Sequence, residues 1–183
     1  ERLLPIAARG GITVHGTVNG FGPLRVTADA AKACAFADVI IVTVPATGHR
    51  NMACSLAPYL RDGQVVVLHP GRTLGAVEFE HALWEAGCRA RVTVAEAQSL
   101  LYASRVTGEA EVTIFGVKNR VSVAALPAQE TPRVVEKLQK AFSQLVAAPH
   151  VLATSLMNIG AVFHPAPTLL NIARIEGQSS FTY

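Results

Sequence analysis

Cysteine is scarce in this sequence: 183 residues hold three, Cys34, Cys54 and Cys88, widely spaced and without a C-x-x-C pair. Neither a disulfide framework nor a zinc site is indicated, and free thiols in a reducing compartment are expected. Charge is thin as well, at 16% of residues against 50% hydrophobic, a balance that excludes a disordered chain. Long apolar runs are also missing. The longest, 39–44, is far too short to cross a bilayer, and ERLLPIAARGG at the start has no apolar stretch of signal-peptide length. The net charge of +3 comes from scattered Lys and Arg, with no run of like charge and no aromatic interleaving. A nucleic-acid surface needs clustering on one face. These absences point to a soluble, cytoplasmic protein with neither membrane nor nucleic acid as a partner.

What is present is a repeating unit. Residues 1–9 read as the tail of a helix, and short strands follow at 12–15 and 24–27, joined by GTVNGFGP. A small helix over 29–36 precedes the apolar strand 38–44. A helix over 47–59 leads to a second such strand at 64–69, and a helix over 73–87 leads to a third at 91–96. Runs of Val and Ile without polar alternation mark strands buried on both faces, and helical stretches of this length mark crossovers. The fold class is α/β: a Rossmann-like, doubly wound, mostly parallel sheet. Segments 111–117 and 120–126, separated by Lys118-Asn119, read as a hairpin or two adjacent strands. Thr131-Pro132 opens a helix to about Leu145, with Pro in the first turn, where its missing N–H does no harm. From Val151 a helix rich in small residues runs to His164, breaks at Pro165 and Pro167, and resumes through Arg174. The domain boundary is expected near residue 150, with 1–150 the distal part of a dinucleotide-binding domain and 151–183 the start of an all-helical second domain.

The glycine fingerprint of such a domain is missing. Gly20 and Gly22 form a G-x-G, but a strand follows and no helix opens there to receive a pyrophosphate. If the fold binds a dinucleotide, its first strand, phosphate loop and second strand lie before Glu1, and the chain is the central piece of a longer one. What remains is the carboxyl edge of the sheet, where open α/β folds bind ligands. One strand ends in Val44-Pro45-Ala46 and the next in His69-Pro70-Gly71-Arg72. Small residues at two consecutive strand ends let flat rings approach the backbone, so Val44, Pro45, Ala46, Pro70 and Gly71 are the expected cofactor contacts. Either turn alone would also serve as an ordinary strand-to-helix connection.

Ala37-Asp38-Val-Ile-Ile-Val-Thr-Val-Pro45, with Pro58-Tyr59-Leu60 and Gly63-Gln64-Val-Val-Val, resembles the distal half of dinucleotide domains in the 6-phosphogluconate-dehydrogenase-like superfamily. The segment TSLMNIGAVFHPAPTLLNIARIEGQSSFTY narrows this. It resembles the opine dehydrogenases, whose second domain begins with a helix carrying Asn, then His-Pro, then Leu-Leu-Asn. Gly71-x-x-x-Gly75-Ala-x-Glu78-Phe79, and Ala95-Glu96 followed by Tyr102 and Arg105, fit the same family. The resemblance implies NAD or NADP as cofactor, with Glu96 added to its contacts. It also implies reductive condensation of an α-keto acid with an amino acid's amine, and it leaves room for a homodimer. Some relatives carry Asn where Gly160 stands.

Condensation needs a group that exchanges a proton near neutrality, which is histidine's range. By resemblance His164 takes this role with Asn158 beside it, and the carboxylate that orients such a histidine lies further downstream in the family. Asn158, His164 and Asn171 stand six and seven residues apart on an apolar helix, which would bring them roughly to one side. Such a set is either a satisfied core network or the lining of a cleft. Tyr102, Arg105 and Asn171 are the expected substrate contacts. Arg105 could grip a carboxylate bidentately or form an ordinary salt bridge. No metal ligation is expected. His15, His49, His69, His81 and His150 read as surface or turn residues, with His69 kept open because it sits at the cofactor edge. A keto-acid reductase of the same superfamily would use a lysine on the second-domain helix, but the last lysine is Lys140. A non-catalytic dinucleotide-binding module would keep Pro45 and Gly71 without needing His164.

Overall fold

Strands made wholly of apolar residues need a core on each face, and this fold supplies both. The computed structural model describes residues 3–157 and 159–177. In chain order it forms α1 (Leu4–Arg9), β1 (Gly11–Gly16), β2 (Gly20–Pro23), α2 (Ala30–Phe36), β3 (Val39–Val42), α3 (His49–Leu56), β4 (Val65–Leu68), α4 (Gly75–Glu85) and β5 (Thr93–Ala97). Then come β6 (Tyr102–Gly108), β7 (Glu111–Val117), β8 (Val121–Leu126), α5 (Thr131–Gln139), β9 (Leu145–Ala147), α6 (Val151–Leu156), α7 (Ile159–Phe163), α8 (Pro165–Leu170) and α9 (Ile172–Ile175).

The main sheet has strand order β3-β4-β5-β8-β9. β3, β4 and β5 are parallel neighbours in the register Val42↔Leu68 and Leu68↔Glu96, as their sequences predict. Alternate residues enter opposite cores. Val66, Leu68, Val94 and Ala124 pack with Phe79 and Leu83 of α4 and Leu56 of α3. Val65, Val67, Ala95, Val123 and Ala125 pack with Val134 and Leu138 of α5. Asp29 caps α2 by accepting from the Lys32 N–H at 3.2 Å. Among the described residues, no helix is long and apolar enough to cross a membrane.

Three sequence expectations are corrected. The segments 111–117 and 120–126, expected as a hairpin or two adjacent strands, form strands in different sheets: β7 joins β1 and β6 in a sheet of order β2-β1-β7-β6, whereas β8 crosses to pair antiparallel with β5. The second short strand is Gly20–Pro23, inside the loop expected to be a turn, and it pairs antiparallel with β1. Glycine is needed in β1, because a Cβ on Gly16 would lie 2.2 Å from the Ile114 carbonyl oxygen. β6 and β9 were not anticipated. The helix expected from Val151 to His164 is divided into α6 and α7, and where a break was expected at Pro165 and Pro167 a further helix, α8, runs from Pro165 to Leu170, with α9 after Asn171.

Phe79 is wholly buried between the sheet and its neighbouring helices. Phe79→Ala should lower unfolding free energy by about 3–5 kcal/mol, the usual cost of emptying a buried aromatic site. Chemical denaturation followed by circular dichroism measures it.

Candidate functional site

Because β3 and β4 are parallel, residues 43–46 and 69–72 leave the sheet at one edge. Val44 is half-buried, while Pro45 and Ala46 are exposed. Pro70 and Gly71 lie beneath the surface. The reason is Glu96, which the main-sheet register places at the end of β5, opposite Leu68. A Cβ on Gly71 would come 2.4 Å from the Glu96 Cβ, so this glycine makes room for Glu96.

Glu96 itself is corrected from a cofactor contact to an anchor. Its side chain is 0% exposed, and its oxygens are taken by the chain. Oε2 accepts from the Ala76 N–H at 2.9 Å, in the first turn of α4, where the helix dipole favours an anion. Oε1 accepts from the Thr154 and Ser155 hydroxyls of α6 at 2.7 and 2.6 Å. Ser155 Oγ accepts in turn from the Leu74 N–H at 2.9 Å. One carboxylate thus ties the turn after β4, the start of α4 and the first helix of the C-terminal segment.

Two histidines lie under the same edge. His49, expected at the surface or in a turn, is 2% exposed, and its Nε2 has no hydrogen-bond partner among the described residues. It packs under Gly75, where a Cβ would sit 3.2 Å from its Nδ1. Burial lowers the His49 pKa most; Glu96 and the Val44 carbonyl oppose that, and Arg72 adds to it. His69 Nε2 accepts from the Leu101 N–H at 3.1 Å, which requires a neutral ring. Its pKa is lowered by burial and, less, by Lys118.

A cleft of about 280 Å³ opens beside this edge, and the histidine expected to be catalytic, His164, lines it. Arg72, Gln98, Ser99, Lys118 and Met157 line it too, with Gly160. Gln98 Nε2 donates to the Met157 carbonyl at 3.1 Å, and Lys118 Nζ to Ser99 Oγ at 2.7 Å. Sequence reading missed Arg72, Gln98, Ser99 and Lys118. Arg72 could have been found from its place directly after the Pro70-Gly71 turn. Lys118 could not, because its approach to Ser99 depends on β7 leaving β8.

The other expected substrate contacts lie elsewhere. Tyr102 faces a separate apolar cavity of about 270 Å³ with Phe142, Leu138 and Ile41. Arg105 is exposed on β6, and its Nη1 lies 3.4 Å from the Ser104 carbonyl. Asn171 turns back on its own chain, donating from Nδ2 to the Pro167 carbonyl at 2.9 Å. Asn158 lies outside the described residues. Among the described residues, no group of three or more His, Cys, Asp or Glu is placed to hold a metal ion.

The fold and this edge define a class: a Rossmann-like α/β domain followed by a run of short helices. Comparison with known proteins gives more. The chain is 38% identical over 185 aligned residues, all of its length and 51% of the relative's, to an opine dehydrogenase of Arthrobacter sp. (strain 1C). It is 27% identical over 152 residues, 79% of its length and 37% of the relative's, to a tauropine dehydrogenase of Arabella iricolor. No family model matches the chain. The fold is that of octopine dehydrogenase solved with NADH and pyruvate, at TM-score 0.78 and 23% identity, over 98% of this chain and 48% of that one. The resemblance to opine dehydrogenases read from the sequence therefore holds along the whole chain, which spans about half the length of the closely matching relative.

Two outcomes are expected. Gly71→Ala should destabilise the fold by about 1–3 kcal/mol, since the new methyl must displace Glu96; thermal unfolding measures it. The lowered His49 and His69 pKa values favour the neutral rings in the folded state. Their stabilisation is therefore full above the ordinary histidine value of about 6.5 and is lost as pH falls below it. The melting temperature should drop between about pH 7.5 and 5.5, and less steeply in His69→Gln.

Proposed function

We propose that this chain is part of an NAD(P)H-dependent opine dehydrogenase, which condenses an α-keto acid with the amino group of an amino acid and reduces the product to a secondary amine. The observation that carries this reading is that His164, from the helical segment, opens on the same cleft as Arg72 and Gln98, in a chain 38% identical to an opine dehydrogenase. We further propose a domain boundary near residue 150 and a cytoplasmic location, to which three free thiols are suited.

The edge fits a dinucleotide. Pro45 and Ala46 offer a small, exposed surface at the strand ends, and Pro70 and Gly71 support it from beneath. When bound, the reduced nicotinamide supplies the hydride. The chain's own residues hold the substrates and move protons. His164 would carry two protons in turn from the attacking ammonium nitrogen to the carbonyl oxygen, which leaves as water as the carbon–nitrogen double bond forms. Neutral His49 and His69 under the edge keep extra positive charge away from the site where that proton moves.

A keto-acid reductase reading is weaker here, because such an enzyme would use a lysine on the second-domain helix and residues 141–183 contain none. Activity of the full-length protein separates the two: an opine dehydrogenase consumes NAD(P)H only when keto acid and amine are both present. A reductase needs the keto acid alone. In the full-length protein, His164→Ala should lower kcat by about 10²–10⁴-fold, the usual worth of a general acid/base, with cofactor affinity nearly unchanged. A folded His164→Ala protein with normal turnover refutes the assignment.

A further inference from the structure

Among the described residues, the cleft that holds His164 is lined by two cations and by no Asp or Glu. Some cations elsewhere have acidic partners, among them Arg9 with Glu111, Arg50 with Glu78 and Glu85, Arg91 with Asp62, and Arg133 with Glu130, whereas Arg61 and Arg105 bond backbone carbonyls. Arg72 enters no such ion pair among the described residues, and Lys118 donates to the neutral Ser99 hydroxyl. Glu96, the nearest buried carboxylate on β5, is saturated by Ala76, Thr154 and Ser155. The cleft therefore carries uncompensated positive charge. It reaches at least to His69, where Lys118 helps to lower the pKa.

The backbone of Arg72 points the same way. Its φ of 63° is left-handed, a conformation that costs an L side chain roughly 1–3 kcal/mol and recurs at ligand-binding positions. Glycine would relieve that strain, yet an arginine stands there, directly after Gly71.

We infer that Arg72 and Lys118 form a carboxylate-binding pair that seats a substrate carboxylate against His164. This rests on the opine dehydrogenase reading above. Both substrates of such an enzyme carry a carboxylate one bond from the reacting carbon or the carbon bearing the amine. Holding that carboxylate fixes the reacting atoms relative to the imidazole. The Arg72 guanidinium can offer two parallel N–H donors, and the Lys118 ammonium adds a point charge.

The test uses the full-length protein and its Arg72→Ala, Arg72→Gly, Lys118→Ala and Arg72→Ala/Lys118→Ala variants. KM for pyruvate and for the amino acid are measured separately, along with kcat and NADH affinity. Oxamate, an unreactive pyruvate analogue, and the amino acid alone are titrated by calorimetry into the NADH complex. Each alanine variant should raise one carboxylate substrate's KM about 10–100-fold, with NADH affinity unchanged. A rise for pyruvate with loss of oxamate binding assigns the keto acid's carboxylate. A rise for the amino acid, with oxamate unaffected, assigns the amino acid's. Arg72→Gly should melt at a higher temperature than the parent while losing the same affinity, a combination that a purely structural arginine would not give. If no opine activity is found, that reading falls, and the titrations still judge the pair. It is overturned if the double variant binds both probes as the parent does, or if the parent binds neither.

Discussion

The Glu96 carboxylate organises this half of the molecule because burial leaves it no solvent to lean on. A wholly buried carboxyl group must be matched by donors, and here two helices supply three of them: an N–H in the first turn of α4 and two hydroxyls of α6. The Ala76 N–H and the Ser155 hydroxyl are fixed in return, since losing the acceptor would strand them in the core at about 1–3 kcal/mol each. The turn after β4 then has to close over the carboxylate, which is why only glycine fits at 71. The cleft inherits its shape from these constraints. Arg72 is presented by the turn above Glu96, and the helical chain that carries His164 starts from the helix whose hydroxyls bind it.

Much of the fold was legible in the sequence, for a physical reason. β4 is apolar and buried along its whole length, β5 is buried throughout, and β3 at the sheet edge is apolar with Val42 buried, so runs of Val and Ile without strict alternation marked the strands. The segments 111–117 and 121–126 were recognised as strands but given the wrong partner. Period-two patterning identifies a strand and says nothing about which sheet receives it. Short spacing suggested a hairpin, whereas β8 fills the place beside β5 and sends β7 to β1. β6 went unseen because its exposed residues carry little apolar signal.

The site was legible in part. His164 stood out through the Asn, His-Pro and Leu-Leu-Asn order, and it does open on a cleft. Asn171 was placed beside it by helical spacing, whereas the chain turns at His164 and Asn171 and the Asn171 amide donates to the Pro167 carbonyl of its own segment. Tyr102 is carried by β6 to the opposite core, against Phe142. Arg72 and Lys118, 46 positions apart in the chain, meet only because two sheets bring their ends together. A contact of that kind leaves no local trace.

The hydroxyls on α6 lie 58 and 59 residues beyond the carboxylate they bind. A change at Glu96 would strand the Ser155 hydroxyl, while the Thr154 hydroxyl could still donate to the Val151 carbonyl at 2.8 Å, and a change at either would leave the buried oxygen Oε1 short of a donor. Positions 96 and 155 are thus one unit of inheritance. In an alignment of homologues they should vary together, and a sequence with an apolar residue at 96 should have lost the hydroxyl at 155 as well.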